Sequence, residues 1–164
     1  MPMFVAPVAG ALSDRIGGAR LMGIGLTLQA AGLGSLAAIS VPTTPYWQLV
    51  VPFMVSGIGM AMFWAPVANV VLAAVQKEEE GQASGAQNAI RELGGVFGVA
   101  VLASVWSHYG SYRTGASFVH GMTPAIWIGA AIVLLGAAAS FAIGKTRVRA
   151  AEQPVEAEPL AEAA

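Results

Sequence analysis

Four long apolar runs, at residues 21–41, 47–75, 83–106 and 124–144, alternate with short polar stretches at 42–46, 76–82 and 107–123. A helix needs about 20 apolar residues to cross roughly 30 Å of hydrocarbon, so each run is long enough to span a membrane. The third is the least apolar, because Arg91 and Glu92 fall inside it. Residues 93–105 carry no charge, however, and glycine recurs throughout the run. Pro52 and Pro66 lie inside the second run. In a membrane bundle they read as kinks, because neighbouring groups re-satisfy the freed carbonyls.

The two ends of the chain read differently. Residues 1–12 are apolar but too short to cross at about 1.5 Å of rise per residue, and are expected to be the end of a truncated transmembrane helix. The last residues, "AEQPVEAEPLAEAA", lack the apolar bulk to pack, so 150–164 are expected to form a disordered tail.

Composition agrees with a lipid-facing surface. The chain has 164 residues, of which 56% are hydrophobic and 10% charged, with a mean hydropathy of +0.67. A soluble domain carries about 25% charged residues, so too little charge is present to cover a water-soluble globule. A net charge of −1 gives no electrostatic footing for nucleic acid. With no cysteine there is no disulfide framework and no thiolate chemistry.

The charges that remain set an orientation. Arg15 and Arg20 precede the first full run, Lys77 lies between the second and third, and Lys145, Arg147 and Arg149 follow the last. The two alternate loops share only Arg113. Lysine and arginine accumulate on the cytoplasmic side, which places the tail there. Tyr46, Trp47, Trp106, Tyr109 and Tyr112 gather at the opposite ends, as an interfacial aromatic belt does.

Three of the few charges fall, with three glycines, within "GALSDRIGGAR", residues 10–20. The arginines follow from topology alone. Asp14 does not, and an acid there could accept hydrogen bonds from a helix N-terminus or pair with an arginine. The stretch resembles the signature G-x-L-a-D-r-x-G-r-k of the major facilitator superfamily, through Gly10, Leu12, Asp14, Arg15 and Gly17. Gly18 and Ala19 stand where that pattern has its basic pair, with Arg20 one step further on. This weakening is similar to that of the signature's copy in the second half of the family's chains.

A second stretch, "GQASGAQNAIRELGGVFGVAVLASV", resembles the penultimate helix of the drug:proton antiporter subfamily with fourteen helices. Gly81, Ala83, Ser84, Gly85, Asn88, Arg91, Gly94, Gly95 and Gly98 carry that likeness. Its glycines also echo the antiporter motif of the symmetry-related helix, without that motif's proline. Independently of any family, helical spacing puts Ser84, Asn88, Arg91, Gly95 and Gly98 on one stripe suited to protein contact. Arg91 could snorkel to the headgroups, or pair with Glu92 or an acid on another helix.

The resemblance implies an all-α membrane fold: the end of one helix and then the last four of a transporter, with 13–149 forming most of its second bundle. It implies proton-coupled efflux of a small amphipathic substrate across the cell membrane by alternating access, with the missing N-terminal helices as partners. In the family, the acid matched by Asp14 helps to hold the inner gate closed. Apart from Glu92 no span contains an acid, so proton-carrying carboxylates are expected in the missing portion, and the chain alone is expected to be inactive.

Other chemistry is thinly represented. "GIGLTL" and "GIGMAM" open like dinucleotide loops but lack the third glycine and lie inside apolar runs. His108 and His120 have no acid nearby, so no metal and no cofactor are expected. There is no G-x-S-x-G for a serine hydrolase. Gln29, alone in its run, reads as an interhelical hydrogen bond or as part of a substrate path. Two alternatives stay open: a self-assembling four-helix pump, for which the first full run offers no glutamate, and a non-transporting scaffold subunit.

Overall fold

In hydrocarbon every backbone N–H and C=O must be satisfied within its own segment, which leaves the apolar runs little choice but helix. A computed structural model describes residues 16–72 and 74–151, with side chains except at 65 and 143–151. Four helices make up the fold: α1 (Gly18–Ile39), α2 (Tyr46–Leu72), α3 (Glu80–Tyr109) and α4 (Gly115–Ala151), with a 3-10 turn at Lys77–Glu79 before α3. No strand is present among the described residues. All four helices are long and apolar enough to cross a membrane. The expected all-α membrane fold is therefore the one observed.

Short connections fix the neighbours. After α1, the Thr44 hydroxyl donates to the Ile39 carbonyl at 2.6 Å and accepts the Val41 N–H at 2.9 Å, closing the helix end within a tight turn. Pro52 and Pro66 sit inside α2 and are both buried.

The start of α4 corrects the sequence expectation. The polar stretch 107–123 reads as a loop before the last apolar run, 124–144. Instead α4 begins at Gly115, about two and a half turns earlier. Thr114 caps it: the hydroxyl accepts the Ser117 N–H at 3.1 Å and the carbonyl accepts the Phe118 N–H at 3.0 Å. Pro124 is then an interior residue of α4. Likewise α3 begins at Glu80, inside the stretch read as loop, and runs on to Tyr109.

Helix α1 is central, packed most closely against α2 and next against α4. Glycine makes this closeness possible. A methyl carbon on Gly25 would lie 2.7 Å from the Gly59 carbonyl oxygen, and one on Gly32 would lie 2.6 Å from the Ser56 nitrogen. Among the described residues the buried apolar side chains are Leu21, Leu36, Pro52, Pro66 and six alanines. Such a core gains its stability from backbone approach and dispersion rather than from large side chains. Helix α3 is peripheral. It packs against α4 and more sparsely against α2, and none of its residues is buried.

Candidate functional site

The loop motif is described only in part. Gly10, Asp14 and Arg15 lie outside the described residues. Gly17 has φ of 87°, in the left-handed region that side-chain-bearing residues rarely adopt. Its carbonyl accepts the Leu21 N–H at 3.1 Å, so the motif's second glycine turns the chain directly into α1. Arg20 is exposed in the first turn of α1.

Gln29 lies at the crossing of α1 and α2. A methyl carbon on Gly59 would approach the Gln29 backbone nitrogen to 2.5 Å. The Gln29 side chain is half-buried, and among the described residues it makes no hydrogen bond. The glycines of "GIGLTL" and "GIGMAM" belong to the same crossing through Gly25 and Gly59. Gly25 and Gly59 serve helix packing, and neither stretch forms a phosphate-binding turn, since both are continuous helix.

On α3, Ser84, Asn88, Arg91, Gly94 and Gly95 are exposed and Gly98 is half-exposed. Methyl groups on Gly94, Gly95 or Gly98 would meet nothing within 4 Å. The glycines of this helix are therefore not used for packing among the described residues. Arg91 does have neighbours. Its Nη2 donates to Glu92 Oε1 at 3.1 Å, and its guanidinium carbon lies 5.7 Å from the ring centroid of Trp64 on α2. Trp64 is a neighbour that sequence reasoning missed. A usable signal existed, because Trp64 and Arg91 stand at comparable distances along the chain from the same turn, and an antiparallel pair of helices brings such positions to similar depth.

The opposite end of the bundle is aromatic. Trp106 on α3 lies 4.4 Å from Tyr112 and 5.5 Å from Phe118 between ring centroids, and its Nε1 donates to the Phe118 carbonyl at 3.2 Å. These rings border an apolar cavity of about 480 Å³ between α3 and α4. A second, of about 490 Å³, lies between α1 and α4 beside Thr27, Ser35 and Trp127. His120 Nδ1 donates to the Tyr109 carbonyl at 2.9 Å, tying α4 to the end of α3. Among the described residues no cluster of metal-ligating side chains occurs. The arrangement offers apolar volume, aromatic faces and one partly committed guanidinium, which suits holding or passing a small molecule.

Comparison with known proteins points the same way. The model of a family described as Major Facilitator Superfamily matches residues 1–163. The uncharacterized MFS-type transporter YcnB of Bacillus subtilis is 30% identical over 155 residues, 92% of this chain and 33% of that protein. The riboflavin transporter RibZ of Clostridioides difficile is 24% identical over 139 residues, 82% of this chain and 30% of that protein. A probable actinorhodin transporter of Streptomyces coelicolor is 32% identical over 90 residues, 55% of this chain and 15% of that protein. The chain thus spans a third or less of the length of these relatives. No solved structure matches it significantly.

Proposed function

The chain belongs to the major facilitator superfamily, whose members are membrane transporters, and from that premise we propose that it forms most of the second bundle of a proton-coupled efflux transporter. Within the superfamily, the stretch around Asn88 and Arg91 supports the drug:proton antiporter subfamily with fourteen helices. The transporter works by alternating access, two bundles rocking about a central site. Its substrate is a small amphipathic compound. The relatives named for riboflavin and actinorhodin support a small organic cargo. Transport changes no covalent bond in the cargo, so the chain needs neither a catalytic residue nor a cofactor.

One observation carries this reading: α3 crosses with no buried residue while presenting Arg91, Asn88 and a run of glycines. An arginine deep in lipid costs at least ~2.5 kcal/mol on insertion scales. Glycines without neighbours give no packing in return. A face of this kind is stable when a further protein surface covers it, and the missing N-terminal helices supply that surface. Orientation completes the proposal. Arg15, Arg20, Lys77 and the basic residues after Gly144 face the cytoplasm, across the cell membrane from the Trp106 cluster. Asp14, with Gly10, Arg15 and Gly17, then belongs to the inner gate.

The test is transport in inverted membrane vesicles, read as quenching of an amphipathic cationic dye driven by a pH gradient. A full-length transporter containing this chain is expected to accumulate the dye and to lose the signal when a protonophore collapses the gradient. The 164-residue chain alone is expected to stay at background. Gradient-driven uptake by the isolated chain overturns the reading in favour of a self-sufficient pump.

A further inference from the structure

Arg91 and Glu92 are the two charges in the run 83–106, and their ion pair joins neighbouring residues of one helix. That pair lowers the net charge but cannot hold α3 against anything. The only contact that carries the guanidinium to another helix, among the described residues, is the face of Trp64. We propose that Trp64 is the positioning residue of Arg91: a cation–π clasp fixes the guanidinium on α2 and ties α2 to α3 within the membrane.

Three observations support the clasp. The first is geometric, since 5.7 Å from guanidinium carbon to ring centroid is within the range over which an aromatic face attracts a cation. The second is the thinness of everything else between these helices: α2 and α3 share far fewer contacts than α1 and α2, and no residue of α3 is buried. A single directed contact therefore decides much of their relative placement. The third is the setting of the ring. Phe63 meets Trp64 edge-on at 5.7 Å between centroids, and the next position but one, Pro66, is fully buried, so the indole projects from an anchored part of α2. Arginine suits the role better than lysine, because a planar guanidinium stacks on an indole while an ammonium is a hydrated point charge.

The clasp leaves part of the guanidinium uncommitted. Glu92 is its sole hydrogen-bonding partner among the described residues, and the remaining N–H groups stay free for an acceptor. Arg91 is thereby held at a fixed place in the membrane with donors to spare, as a group that recognises a carbonyl or an anion must be. The clasp is independent of the direction and coupling of transport.

The absence of cysteine makes the test clean. Nitroxide labels go on cysteines at Ala68 and Gln87, one turn from each partner, in the full 164-residue chain in lipid nanodiscs. Electron paramagnetic resonance then reads the α2–α3 distance. Tryptophans with increasing fluorine are incorporated at position 64 alone; fluorine drains the ring's negative face while nearly preserving its shape. The parent is expected to give one narrow distance, and the clasped population is expected to fall stepwise, by roughly tenfold at full fluorination. In Arg91→Gln the distances should be broad and indifferent to fluorine. A parent distribution that is already broad overturns the proposal. So does a narrow one that ignores fluorine, or one that responds equally with Arg91→Gln.

Discussion

At Gly59 a methyl carbon would fall 2.5 Å from both the Gly25 carbonyl oxygen and the Gln29 nitrogen, all backbone atoms that cannot rotate away. Two residues earlier, a methyl carbon on Gly57 would meet nothing within 4 Å. The two glycines share a helix and a composition, so they separate packing from propensity. Gly59→Ala is expected to lower stability by about 1–3 kcal/mol through overpacking. Gly57→Ala should be neutral or slightly stabilising, since alanine is the better helix former. Thermal unfolding of the two variants in detergent, followed by circular dichroism, reads the contrast; equal effects would mean that α1 and α2 do not meet at Gly59. The glycines themselves are plain in the sequence. Their partners are not, because "GIGLTL" and "GIGMAM" look alike locally, and only the crossing of two helices selects Gly25, Gly32 and Gly59 while leaving Gly57 open.

The helices were legible to the extent that lipid dictates them. Length and hydropathy alone decide whether a run can span, and the four runs became α1 to α4. Ends were harder, because they depend on one or two hydrogen bonds. Thr114 offers a cap of the usual chemistry, but the polar residues after it and the proline at 124 suggest a loop followed by a late start. The helix runs through both. Thr114→Ala removes the acceptor for the Ser117 N–H, a loss of about 1 kcal/mol at a helix N-terminus. Hydrogen exchange is expected to quicken at residues 116–118 and to stay unchanged through the middle of α4. Unaltered exchange at 116–118 would show that α4 does not begin there. The Trp64–Arg91 contact illustrates the other gap: each residue is conspicuous in its own helix, and only their comparable distance from the shared turn links them.

Across the whole molecule, α1 holds α2 and α4 together while α3 stands to one side. The proposed orientation predicts which turns meet the outside. In intact cells, single cysteines at 43–45 and 112–114 are expected to react with a membrane-impermeant maleimide, and cysteines at 76–79 only after permeabilisation. Labelling of all three groups from outside would reverse the assignment. The loop motif at Asp14 remains an expectation from a handful of residues, because Asp14 lies outside the described residues.

During synthesis α3 leaves the ribosome before α4, and it brings Arg91 and Glu92 with it. The span containing α3 is less apolar than Gly115–Ala142 in α4. Between them the chain turns within a few residues, and Gly110 and Gly121 approach so closely that a methyl carbon on Gly121 would lie 2.6 Å from the Gly110 Cα. A turn this tight lets the two helices leave the translocon as one hairpin. The more apolar α4 then offsets part of the cost that the arginine imposes on α3. The close approach of Gly110 and Gly121 in the finished protein corresponds, in the nascent chain, to two helices only a few residues apart.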